Sequence, residues 1–142
     1  MSVQIFEATT RHAEPIARLL FQMGYPDDVQ AIAQRIEENQ RPGYKTFVAE
    51  VNRQVVGVIV AHTYTYLHAA GLTGRIMTFC VDETVRGQGV GTQLLYHAEA
   101  YLAGQKCVKV ELNCNNRRTE THVFYQQRGY TQTSLHFVKR LN

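Results

Sequence analysis

The sequence lacks the marks of several protein classes. Its longest apolar stretch, residues 55–61, includes Gly57 and falls far short of the roughly 18 residues a membrane-spanning helix needs. No membrane partner is expected. The opening Met1-Ser2-Val3-Gln4-Ile5-Phe6-Glu7 has no basic region leading into an apolar one, so no secretory signal is expected. Cysteine is scarce and odd in number: Cys80, Cys107 and Cys114, without a C-x-x-C pair. That argues against a disulfide framework and for a reducing, cytoplasmic setting. The six histidines form neither H-E-x-x-H nor a Cys/His cluster, and no metal site is expected. Neither sign of charge dominates. A net +3 suits a phosphorylated small ligand but is too little to mark a nucleic-acid binder. Linkers, repeats and biased segments are absent too. What is present is a globular balance of 44% apolar and 19% charged residues in a chain of 142. That length suits one core and is cramped for two, so a single domain over residues 1–142 is expected.

Hydrophobic periodicity orders the elements. Residues 3–8 alternate as a short strand does. Ile16, Leu19, Leu20 and Met23 recur at helical spacing, and Gly24 with Tyr25-Pro26 stops that helix. A second helix carries Val29, Ile32, Ala33 and Ile36, with Asp27 and Gln30 spaced as in a capping box. Arg41-Pro42-Gly43 breaks the chain. Residues 46–51 and 54 to about 67 read as a hairpin around Asn52-Arg53. Gly71 and Gly74 bracket a loop, and residues 75–81 form a strand. An amphipathic helix runs from Val90 to near Gly104, a strand covers 107–112, a short helix covers 119–128, and a last strand covers 130–138. The predicted order is β-α-α-β-β-β-α-β-α-β, and mixed strands with helices on both faces give an α/β or α+β sandwich.

The segment Val81-Asp82-Glu83-Thr84-Val85-Arg86-Gly87-Gln88-Gly89-Val90-Gly91-Thr92 joins a predicted strand to a predicted helix. Its alternating glycines let the backbone turn sharply and bring bare N–H groups to a ligand. The helix start adds unpaired amides and partial positive charge. With the Arg86 cation, this suits a phosphate or pyrophosphate. A glycine-rich turn with only a packing role is the other reading. The P-loop pattern fails, since no Lys-Ser or Lys-Thr follows Gly91. The dinucleotide pattern G-x-G-x-x-G fails at Thr92. Glu111 stands where a ribose-binding acid would, yet too little chain follows for the remaining βαβ units of a nicotinamide oxidoreductase. R-x-x-G-x-G after a strand fits in full.

That last pattern resembles the acetyl-coenzyme-A signature of the GNAT N-acetyltransferase superfamily. Leu19-Leu20 with Gly24-Tyr25-Pro26 is similar to the family's first helix and turn. Asn116-x-Arg118-x-x-Thr121-His122-x-Phe124-Tyr125, followed by Arg128-Gly129-Tyr130, is similar to its N-x-R-x-x-A-H-x-F-Y ending, with Thr121 where Ala is usual. The resemblance implies a GNAT-like fold whose splayed strands bind acetyl-CoA. It implies acetyl transfer to a primary amine, of a small molecule or a protein, by direct attack through a tetrahedral intermediate. It places Phe79, Cys80 and Val81 along the pantetheine arm, and Arg86, Gly87, Gln88, Gly89, Val90, Gly91 and Thr92 around the pyrophosphate. Asn116 and Arg118 contact the cofactor or tie the strand end to the last helix. Tyr125 becomes the general acid for the departing thiolate.

The base is harder to place. An alkylammonium, with pKa about 10, must lose its proton before it attacks. Many relatives carry an acidic pair before the loop, whereas Met77 and Thr78 stand there in this chain. His62, Tyr64, Tyr66 and His68 alternate on one strand face. His62 or His68 is therefore the candidate base, a water chain to solvent being the substitute. The same face can equally meet solvent or a second copy. His122 fits the family pattern better as a structural residue, and Cys80 reads as a small buried apolar group rather than an acetyl carrier. The missing carboxylates motivate an alternative, an acyl-CoA-binding sensor with little or no turnover. Exposed strand edges and the aromatic strand suggest a homodimer.

Overall fold

A five-stranded sheet is laid out in chain order: β1 (Gln4–Glu7), β2 (Tyr44–Val51), β3 (Gln54–Thr65), β4 (Leu72–Val81) and β5 (Cys107–Leu112). The computed structural model describes residues 2–114 and 118–142, and it divides into two compact units, Met1–Glu111 and Leu112–Asn142. In the first unit β1 to β4 pair antiparallel. The chain then crosses through a helix before β5, which makes the sheet mixed. β5 neighbours β4 but meets it only over a short stretch, the splay expected between these strands. Asn52 and Arg53, at φ 51 and 64, make the two-residue turn between β2 and β3, the mirror-image turn that suits strand twist.

Each sheet face has its own helical cover. On one face, Val48, Val55, Val58 and Cys80 pack with Ile16 and Leu19 of α1 (Ala13–Gln22) and with Ile32 and Ile36 of α2 (Val29–Glu38). On the other lies α3 (Val90–Gly104), which buries Val90, Leu94, Leu95, Ala98 and Leu102. Burying one such side chain is worth about 1.5–3 kcal/mol. Two strand glycines let α3 approach. A Cβ at Gly57 would lie 2.6 Å from Leu94 Cδ1, and one at Gly74 would lie 2.7 Å from Leu102 Cδ1. Gly74, expected to bracket a loop, therefore sits inside β4, where the helix needs the space. α1 ends as expected: Gly24 takes φ +92, and the Tyr25 N–H reaches back to the Leu20 carbonyl at 2.9 Å. The cap of α2 is Asp28, not Asp27, because the Gln30 N–H donates to the Asp28 carboxylate at 2.8 Å. Asp27 instead pairs with Arg35 at 2.6 Å.

The second unit holds α4 (Thr119–Gln127), closed by Gly129 at φ +93. The strand expected at 130–138 is not formed: residues 130–142 carry no strand, and 131–142 are all exposed. Alternating side chains show that a segment fits a pleated surface, but only pairing to another strand makes it one. Among the described residues no helix is long and apolar enough to cross a membrane.

Candidate functional site

β4 delivers Phe79, Cys80 and Val81 to its end, opposite Ile59, Val58 and Gly57 of β3. Cys80 is buried in the core as expected. The chain then has to leave the sheet in a fixed direction, and Asp82 sets it. Its N–H donates to the Val56 carbonyl at 2.7 Å. Its carboxylate accepts from the Thr84 N–H at 2.9 Å and the Thr84 hydroxyl at 2.7 Å, and those bonds hold its pKa below the usual carboxylate range. Gln22, the last residue of α1, accepts from the Glu83 N–H at 3.1 Å and donates to Asp82 at 3.5 Å. A short 3₁₀ turn at Glu83–Val85 is thus braced against α1. The sequence reading missed this brace, although D-x-T at 82–84 is a legible side-chain-capped turn.

Beyond the brace, Arg86 Nε donates to the Val81 carbonyl at 3.2 Å, which folds the loop back on β4. Gly87 and Gly89 take φ +79 and +87, and a Cβ at either would meet nothing within 4 Å. The backbone conformation, not crowding, is what calls for glycine here. Gly89 is the N-cap of α3 and offers no side-chain cap to the first turn. The amides at Val90, Gly91 and Thr92 begin a fifteen-residue helix, and Val90 anchors its start in the core at 1% exposure. A glycine loop, an uncapped helix start and the guanidinium of Arg86 beside them are features that suit an anion. The structure thus brings Phe79, Cys80 and Val81 together with Arg86, Gly87, Gln88, Gly89, Val90, Gly91 and Thr92 around one end of β4.

The candidate bases lie elsewhere. His62 pairs across the ladder with Arg75, toward the opposite end of β4. Its ring stacks between Tyr44 at 4.7 Å and Tyr64 at 5.4 Å. Burial, then the Arg75 and Arg41 charges, lowers its pKa against a hydrogen bond at Thr63, so it is neutral at pH 7. His68 follows β3, exposed, with its ring 4.9 Å from that of Tyr66. Glu111, weighed in the sequence only as a ribose ligand, accepts from the hydroxyls of both Tyr64 and Tyr66.

In the second unit Arg118 is the exposed N-cap residue of α4, and Asn116 lies outside the described residues. Tyr125, on α4, sits edge-on to Phe124 at 5.4 Å and to Tyr130 at 5.6 Å. Its pKa is pushed up to about 12, first by burial and then by Cys114, with Arg118 opposing.

The family model described as Acetyltransferase (GNAT) family matches residues 9–130, across both units. The chain belongs to the GNAT family. It is 31% identical over 140 residues to the aminoalkylphosphonate N-acetyltransferase of Salmonella typhimurium, a match covering 97% of this chain and 91% of that protein. Two solved structures share the GNAT fold. A transcriptional regulator from Bacillus halodurans superposes with a TM-score of 0.89 at 20% identity, over 99% of this chain and 100% of that one. An aminoglycoside N-acetyltransferase in complex with CoA does so with a TM-score of 0.86 at 18% identity, over 98% and 94%. This GNAT chain is an acetyl-CoA-dependent N-acetyltransferase. The likenesses lend the sensor reading no support.

Proposed function

We propose that residues 1–142 act as one cytoplasmic acetyltransferase domain that moves the acetyl group of acetyl-CoA to the primary amine of a small molecule. The observation that carries this reading is the cradle at Arg86–Thr92, with its two left-handed glycines and uncapped helix start. The aminoalkylphosphonate substrate in the name of the Salmonella relative supports a small acceptor over a protein amino group. In this scheme the amides and Arg86 hold the pyrophosphate of acetyl-CoA, and the backbone of Phe79, Cys80 and Val81 lines its pantetheine arm. Asn116 and Arg118 are assigned to the cofactor on the family motif. The amine nitrogen attacks the thioester carbonyl carbon, the C–S bond breaks from the tetrahedral intermediate, and the products are the acetamide and CoA. No metal enters the scheme.

The proton leaving the amine goes to His62, which burial and the Arg75 and Arg41 charges keep neutral, or to His68. Tyr125 is the proposed acid. A phenol held at about 12 keeps its proton throughout the working range. Complete transfer to a free thiolate of pKa near 8.5 would run uphill by roughly 5 kcal/mol, so the hydroxyl donates as the C–S bond stretches. Release of CoA thiol over a panel of aminoalkylphosphonates, polyamines, amino acids, aminoglycosides and peptides tests the reading. Turnover is expected on a small amine, with a large kcat loss in Tyr125→Phe. Binding of acetyl-CoA without turnover on any acceptor would restore the sensor alternative. The reading includes a homodimer, which light scattering in solution checks.

A further inference from the structure

β3, β4 and β5 share a face that α1 and α2 leave accessible at the end of the sheet remote from the anion cradle. His62, Tyr64 and Tyr66 follow one another on β3 and just beyond its end. Tyr64 pairs across the ladder with Thr73, a small residue at 2% exposure. The tyrosine ring can therefore lean over β4 and reach β5. There its hydroxyl donates to Glu111 Oε1, the Tyr66 hydroxyl donates to the same oxygen at 2.8 Å, and the two hydroxyls lie 3.0 Å apart. Two cations flank that carboxylate. Arg75 is 3.7 Å from Oε1 and Lys109 is 3.3 Å from Oε2, and Lys109 also stands 5.1 Å over the Tyr66 ring. A third, Arg41, lies 4.2 Å over Tyr44 at the far end of the aromatic row.

Three cations against one carboxylate leave this face positive. Glu111 orders Arg75 and Lys109 without using up all their donors. Lys109 gives the carboxylate one hydrogen bond and Arg75 gives one to the Tyr64 hydroxyl, whereas an ammonium has three N–H donors and a guanidinium has five in a planar fork suited to oxyanions. Arg75 and Lys109 keep 28% and 51% of their side-chain surface, so a solute can reach them.

We infer that Arg75 and Lys109, framed by Tyr64, Tyr66 and Glu111, form the acceptor subsite, and that it selects a small primary amine bearing an oxyanion head group, either phosphonate or carboxylate. This deepens the acetyl-transfer reading and rests on it. The strand geometry supports the placement. At about 3.3 Å per residue, Arg75 and Val81 are roughly 20 Å apart along β4. Between them the ladder bulges: Thr78 and Ile76 oppose the consecutive residues Val60 and Ala61, which leaves Met77 unopposed. A pantetheine arm laid along residues 79–81 brings the thioester toward the bulge from one side. A head group on Arg75 and Lys109 brings the amine toward it from the other.

Aminoethylphosphonate, β-alanine and propylamine share one aminoethyl chain and differ in the head group, so kcat/KM over the three reads the subsite. The wild type is expected to favour the anionic amines over propylamine by at least tenfold, and the order of phosphonate and carboxylate identifies the head group. Arg75→Met and Lys109→Met are expected to raise KM for the anionic acceptors tenfold or more and to leave propylamine and CoA affinity within twofold. Equal use of all three amines, or equal KM changes for charged and uncharged ones, would overturn the subsite. Broadening of the ³¹P resonance of aminoethylphosphonate by the CoA-loaded protein separates the two readings. Broadening that Arg75→Met abolishes supports the subsite even without turnover, and turnover without Arg75-dependent broadening refutes it while acetyl transfer stands.

Discussion

At the residue scale, two histidines show how burial sets protonation. His12 is 4% exposed, and its Nδ1 accepts the Thr9 N–H at 2.9 Å. Burial, then Arg11, lowers its pKa, against the opposing pulls of Glu50 and that hydrogen bond. An unfolded chain returns the histidine to about 6.5 and takes up a proton more readily than the folded one does. The associated stability is complete above about pH 6.5 and declines as the pH falls through the lowered folded value. Thermal melts at pH 5 and 7.5 should show a loss at the lower pH that His12→Gln reduces; equal losses in both proteins would contradict this. His62 is depressed in the same direction. As the base it would give kcat/KM an acid limb below 6.5. His62→Gln should remove that limb and lower kcat by about a hundredfold or more. A limb unchanged in the variant would shift the role to His68 or to water.

At the element scale, α3 depends on two notches in the sheet. Gly74→Ala would bring a methyl within 2.7–3.1 Å of three atoms of Leu102, whereas Gly57→Ala meets only one atom of Leu94 that closely. Both leucines are fully buried. Overpacking of this kind costs about 1–3 kcal/mol, so both variants should melt lower, Gly74→Ala the more so; an unchanged melting temperature for Gly74→Ala would show that α3 shifts freely. The same glycine marks a limit of the sequence. Helical stripes such as Leu94, Leu95, Ala98 and Leu102 place α3 well, and alternation bounds β5 at Cys107–Leu112. Glycine is ambiguous by nature, because it marks turns and close approaches alike. Gly74 thus read as loop. Residues 130–138 read as strand because periodicity is silent about which edge would receive them. Spacing points to Asp27 as the cap of α2, one residue early, because Asp27 and Asp28 are adjacent and only geometry shows which one accepts from Gln30.

At the scale of the whole molecule, the two motifs fall in different units, the glycine loop in Met1–Glu111 and Tyr125 in Leu112–Asn142. The family match spans both. The loop was legible because its chemistry is local: alternating glycines after a strand, an arginine, and a helix start within twelve residues. The brace from Gln22 to Asp82 and the meeting of Tyr64 with Glu111 join residues 60 and 47 positions apart. No spacing rule brings such pairs together, and the motif spacing of Glu111 carries no sign of Tyr64. The cradle remains the claim on which the others depend. Calorimetric titration of acetyl-CoA into the wild type and Gly89→Asp tests it most directly. The substitution adds a carboxylate to the loop and forces a side chain into φ +87, while its Cβ would meet no heavy atom within 4 Å. Micromolar binding to the wild type and at least tenfold weaker binding to a folded Gly89→Asp are predicted; equal affinity in the two proteins, or no wild-type binding up to millimolar ligand, would contradict the account.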